Sequence, residues 1–113
     1  MKIIKIEDLP TICPPNHYNL KVRRIADASI GAKTMVTALT RMASNANVDP
    51  HTHEDTEHLF IVLKGELGVK TSQGEIRVKP GEAVFIYPGE LHGNFNAGGG
   101  DTEYIAVTCN INP

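Results

Sequence analysis

Four of the five histidines in this 113-residue chain fall in two short stretches. One reads His51-Thr52-His53-Glu54-Asp55-Thr56-Glu57-His58 and the other Pro88-Gly89-Glu90-Leu91-His92. Neutral imidazole is the commonest side-chain ligand of first-row transition metals, so such clustering points to a bound ion. His51 and His53 are spaced i, i+2, and on an extended chain both point to one face. His58 stands just before a deeply apolar segment, and His92 follows a Pro-Gly turn after another. In a barrel those two segments can face each other across the interior. His17 stands alone and reads as an ordinary surface or hydrogen-bonded histidine. The expected ligands are therefore His51, His53, His58 and His92, around one divalent transition-metal ion. Imidazole alone does not choose among Zn, Mn, Fe, Ni and Cu.

Four neutral ligands leave the charge of a divalent ion uncompensated. Such a centre attracts carboxylate, enolate, phenolate or hydroxide oxygen. Four ligands on an octahedron also leave two positions for a bidentate substrate, or for substrate and dioxygen. Closed structural zinc sites are tetrahedral and mostly cysteine-rich, and look different. Glu54, Asp55 and Glu57 could orient imidazole N–H groups, or could be solvated loop charges. By strand period two, Phe60 shares a face with His58 and Asn94 with His92. These two are the candidate substrate-binding residues. The Gly98-Gly99-Gly100 run lacks the Lys-Ser/Thr ending and the strand–helix context of a phosphate loop, and reads as a turn.

The elements that must position these residues are short strands. Leu20–Ile25 and Lys33–Met42 read as strands, followed by a polar loop at Ser44–Asn47 and a turn at Asp49-Pro50. Leu59–Leu63 is a continuous apolar run, which predicts a strand buried on both faces. Leu67–Lys70, a hairpin turn at Gln73-Gly74, Ile76–Lys79, Ala83–Tyr87 and Thr102–Thr108 follow, with Pro-Gly turns at Pro80-Gly81 and Pro88-Gly89. No segment carries a long helical stripe. The pattern predicts an all-β sandwich or barrel in a single domain.

Composition is that of a globular chain, 41% hydrophobic and 21% charged, with a net charge of −2. Interspersed charges argue against nucleic-acid or membrane-surface partners. No apolar run is long enough to span a membrane, and the charged start does not read as a signal peptide. A cytoplasmic protein is expected. Cys13 and Cys109 then read as two separate thiols. The apolar content of Leu59–Leu63 and Ala83–Tyr87 exceeds what a water-facing sheet favours, so a homodimer is expected.

The stretch from His51-Thr52-His53 through an acidic spacer to the apolar strand ending at Gly65 resembles the first motif of the cupins. Gly81-Glu82-Ala83-Val84-Phe85-Ile86-Tyr87-Pro88-Gly89-Glu90-Leu91-His92, followed by Asn96, resembles the second. Together they cover about residues 50–96, with residues 1–43 completing the barrel or the dimer. The resemblance implies a double-stranded β-helix (a jelly-roll barrel), usually with one metal inside and often dimeric. Cupins commonly supply a glutamate separated by six residues from the glycine of the first motif. Here that place holds His58, which resembles the four-histidine subgroup of small cupins. Glu57 is the rival ligand, but one residue along a strand reverses the face. Tyr87 stands where the second motif usually has proline. The family hosts oxygenases, isomerases, decarboxylases and non-catalytic binders. The leading expectation is a metal-dependent enzyme on a small organic molecule, by oxygenase or isomerase/lyase chemistry. The alternative is a non-catalytic ligand-binding or sensor cupin, although no helix-turn-helix accompanies it.

Overall fold

A computed structural model describes residues 1–112. Eight strands account for most of them: β1 His17–Ala26, β2 Met35–His51, β3 Thr56–Lys64, β4 Leu67–Thr71, β5 Gly74–Val78, β6 Ala83–Ile86, β7 His92–Asn96 and β8 Thr102–Asn110. Two single-turn 3-10 helices, Ile6–Asp8 and Ala28–Ile30, complete the regular structure. Among the described residues no helix is long and apolar enough to cross a membrane.

All pairings are antiparallel, and the strand order is β5-β4-β7-β2-β8-β3-β6, with β1 paired along β2 from Thr37 to Val48. The long β2 belongs to both faces of the barrel: Met35–Met42 pairs with β8, and Asn47–His51 pairs with β7. This joins a β1-β2-β8-β3-β6 wall to a β2-β7-β4-β5 wall. It corrects the expected loop at Ser44–Asn47 and turn at Asp49-Pro50, which are strand. Two features carry the polar residues there. Ala46 and Val48 turn inward at 3% and 2% exposure. The Asn47 side chain accepts from Lys70 Nζ at 2.9 Å, so its polarity is satisfied across the sheet. Pro50 falls in a register shift between Val48 and His51, where the ladder requires no N–H from it.

Inward and outward residues alternate as an antiparallel sheet requires. The interior is filled at one end by Met42, Leu67, Val62, Val69 and Thr102, all below 2% exposed. Toward the other end the inward positions of β3 are Phe60 and then His58, at 6% and 9%. Burial of Leu59–Leu63 on both faces does not hold within one chain. Phe60 and Val62 are enclosed, but Leu59 and Ile61 are half-buried and Leu63 is 52% exposed on the outer face.

Gly93 shows how tightly β2 and β7 approach beside the histidines. A Cβ there would stand 2.8 Å from the Val48 carbonyl oxygen and 2.9 Å from the Pro50 nitrogen. Both are backbone atoms of the bulged segment, so no rotamer change relieves the clash. Gly93→Ala should cost about 3 kcal/mol or more. In a domain of this size that lowers the melting temperature by about 10–20 °C. Thermal unfolding by circular dichroism checks it, and an unchanged transition would show that β2 can yield.

Candidate metal centre

His51 is the last residue of β2 and His92 the first of β7, and the two are paired across the ladder. Their ring centroids are 4.5 Å apart. His53 lies two residues beyond β2, and its carbonyl accepts from the Gly89 N–H at 2.9 Å, tying the two histidine stretches together. The ligand atoms of His51, His53 and His92 lie within 4.8 Å of one another. Among the described residues this cluster is imidazole alone.

Two of the three rings have a fixed tautomer. His51 Nδ1–H donates to the Asp49 carbonyl at 2.7 Å and His92 Nδ1–H to the Glu90 carbonyl at 3.0 Å. A carbonyl can only accept, so the proton sits on Nδ1 and the Nε2 lone pair is free for a metal. The acidic spacer does not perform this orienting role. Asp55 accepts from Asn112 Nδ2 at 2.7 Å, Glu57 is exposed on the outer face, and Glu54 lies against Gly89. Backbone carbonyls do the work that Glu54, Asp55 and Glu57 were candidates for.

His58 faces the interior opposite Thr108 on β8 and Ile86 on β6, whereas Glu57 faces outward opposite Cys109. The His58 ring centroid is 4.9 Å from that of His53 and 5.3 Å from that of His92. Its nitrogens, however, are hydrogen-bonded to Thr56 Oγ1 at 3.0 Å and Thr108 Oγ1 at 3.2 Å, and they do not join the three-histidine cluster.

Burial favours the neutral form of His53, His58 and His92. It pushes the His58 imidazole down to about 4, with the neighbouring His53, His92 and His51 adding to the effect. Burial likewise lowers His92 against the opposing pull of the Glu90 carbonyl, and lowers His53 together with the nearby His51. A neutral imidazole is the form that binds metal, so protons compete weakly here. The donor set fits a divalent transition ion: convergent neutral nitrogens, preset tautomers and an uncompensated site.

The histidines sit at one end of a cavity of about 220 Å³. Val22, Val36, Ala38, Val48, Phe60 and Ala106 give it mostly apolar walls. Both candidate substrate residues, Phe60 and Asn94, line it, and Asn94 is 4% exposed. Four further polar side chains on its wall were not singled out from sequence: Thr40, Tyr104, Thr108 and Arg24. No periodicity marks them, because their strands carry apolar residues on the outer face as well. His17 also borders the cavity, brought there by its pairing with Val48, and its Nδ1–H donates to the Pro15 carbonyl at 2.8 Å. Cys13 and Cys109 are free thiols.

An eight-stranded antiparallel barrel with histidines from two strand ends gathered at one mouth defines a jelly-roll protein with a candidate metal site. The chain belongs to the cupin domain family, which it matches over residues 38–108. It is 32% identical over 76 residues to an "oxalate-binding protein" from Thermotoga maritima, a match covering 66% of this chain and 62% of that protein. Among solved structures it is similar to the polyketide cyclase RemF from Streptomyces resistomycificus. The identity is 30%, the TM-score 0.85, and the match covers 98% of this chain and 85% of that one. A predicted oxalate decarboxylase from Thermotoga maritima shares the fold at 18% identity and TM-score 0.86, covering 96% and 99% of the two chains.

Proposed function

We propose that this cupin is a metal-dependent enzyme acting on carbonyl or enol oxygens of a small, largely apolar organic molecule, by isomerase- or lyase-type chemistry such as cyclisation. The observation that carries the reading is the convergence of His51, His53 and His92 at one end of an apolar cavity. A divalent ion bound there would act as a Lewis acid toward vicinal or 1,3-related oxygens. The chain's own part is to hold the donors neutral and to accept a carbon framework against Val48, Phe60 and Ala106. Completion of the set by His58 belongs to this proposal. It requires His58 to exchange its Thr56 hydrogen bond for the ion, over the short centroid distances to His53 and His92.

The second reading is a non-catalytic binder of a small dianion, favoured by the oxalate-binding relative. The apolar walls argue against it, because Val22, Val36, Ala38, Val48, Phe60 and Ala106 suit a larger carbon framework than a two-carbon dianion. Calorimetric titration of metal-loaded protein with benzoylacetone and with oxalate separates the two. Tighter binding of the diketone, lost on metal removal, is expected. Oxalate binding with no affinity for the diketone would replace the enzyme reading with the binder.

A homodimer is part of the same proposal. Leu39, Ile105 and Ile61 are laterally paired across β2-β8-β3, and Val107, Leu59 and Phe85 across β8-β3-β6. Phe85 is 41% and Tyr87 65% exposed on the outer face of that wall. A contiguous apolar face of this kind is what a second copy covers. Light scattering at micromolar concentration should give twice the 12.3 kDa chain mass, and Ile105→Lys should halve it. A monomeric wild type would remove the dimer.

A further inference from the structure

The histidine end of the cavity has a polar counterpart deeper in the barrel. Thr40 on β2, Asn94 on β7 and Tyr104 on β8 are 4%, 4% and 3% exposed. All three line the cavity between apolar residues. Thr40 and Tyr104 are opposite one another in the β2–β8 ladder. Asn94 Nδ2 donates to the Tyr104 hydroxyl at 3.2 Å. Asn94 Oδ1, in contrast, is buried with no hydrogen-bond partner, the only such side-chain atom among the described residues.

An unpaired buried acceptor costs about 1–3 kcal/mol, which a leucine of similar volume would avoid. Every other polar group around it has a partner or reaches water. The Tyr104 ring packs edge-on against Phe60 at 5.3 Å, which fixes the phenol that in turn holds the Asn94 amide. The carboxamide is thus oriented by its donor side while its acceptor side is left over. Asn94 lies two residues along β7 from His92, about 7 Å at the rise of a strand. That is about the reach of one six-membered ring with a substituent at each end.

We infer that Asn94, positioned by Tyr104, forms a specificity subsite that accepts a hydrogen bond from a hydroxyl on the substrate, one ring's length from the metal-ligating histidines. This rests on the proposed function and narrows its substrate to a hydroxylated carbon framework: oxygens at the histidine end, a hydroxyl donor at the Asn94 end. Asn94 is a positioning and specificity residue here, not a proton carrier.

The test uses metal-loaded full-length protein and two probes, benzohydroxamate and 4-hydroxybenzohydroxamate, which differ by one para hydroxyl. Calorimetry gives the affinity ratio of the pair for wild type and for Asn94→Leu, with metal content measured in both. In wild type the hydroxyl should tighten binding about tenfold, as a hydrogen bond to a buried unpaired acceptor does. In Asn94→Leu the ratio should fall to near one, whatever the affinity of benzohydroxamate itself. A ratio near one in wild type, or one unchanged by the substitution, overturns the subsite. Thermal unfolding of the metal-free proteins gives an independent answer. Removing an orphaned acceptor should raise the melting temperature by a few degrees, whereas an asparagine held by buried water would be destabilised on replacement and the subsite would be overturned. Protein that holds no metal fails the proposed function, and the unfolding comparison then decides the subsite by itself.

Discussion

His92→Ala will lower metal affinity by more than about a hundredfold, beyond the 10- to 100-fold typical of losing a group that merely supports a ligand. His92 is 3% exposed, and the Glu90 carbonyl fixes its tautomer with Nε2 free. A mobile surface imidazole could not replace it without paying that ordering again. His51→Ala should behave alike, since the Asp49 carbonyl presets it in the same way. His58→Ala should also lose most of the metal, and Glu57→Ala should keep it, because Glu57 faces outward beside Cys109. Competition against a chromophoric chelator measures all four. Full retention in the His58 variant would leave a three-histidine site. Full retention in the His92 variant would remove the centre altogether.

Lowering the pH from 6.5 to 4 will destabilise the metal-free protein by up to about 3 kcal/mol through His58 alone. The unfolded imidazole takes up its proton near 6.5, but the buried ring resists until about 4. Below 6.5 the unfolded chain therefore binds more protons than the folded one, and stability is lost as pH falls through that window. Above 6.5 both forms are neutral and the contribution is constant. His53 and His92 are lowered by the same cause and add to the slope. Urea unfolding of chelator-treated protein at pH 7, 5.5 and 4.5 should show the decline, and His58→Gln, which retains a partner for the threonines, should flatten part of it. An equal slope in wild type and variant would mean that His58 is hydrated in the folded state.

The barrel could be read from the sequence because its strands are bounded by turn residues and alternate inward. The inward direction of His58 against Glu57 followed from the resemblance to the first cupin motif, counted back from Gly65, together with strand period two. The polar run Ser44–Asn47 misled because local composition says loop, while the partners of Asn47, Phe95 of β7 and Lys70 of β4, are distant in sequence. β7 was not set out as a strand, although an extended chain was assumed from His92 to Asn94: His92-Gly93-Asn94-Phe95-Asn96 has little strand propensity and is held by pairing on both sides, to β2 and β4. The histidines announced themselves by residue type and spacing. Thr40 and Tyr104 did not, because threonine and tyrosine are common strand residues whatever they face. The carbonyls of Asp49 and Glu90 that set the ring tautomers are invisible in any sequence, since every residue has one.

The central claim is that His51, His53, His58 and His92 hold one transition-metal ion. Elemental mass spectrometry of untagged protein taken directly from purification tests it. The account predicts close to one equivalent of zinc, manganese, iron, nickel or copper per chain in wild type and almost none in His92→Ala. Wild-type protein that carries no metal and takes none up on titration would contradict it and leave a metal-free binding barrel.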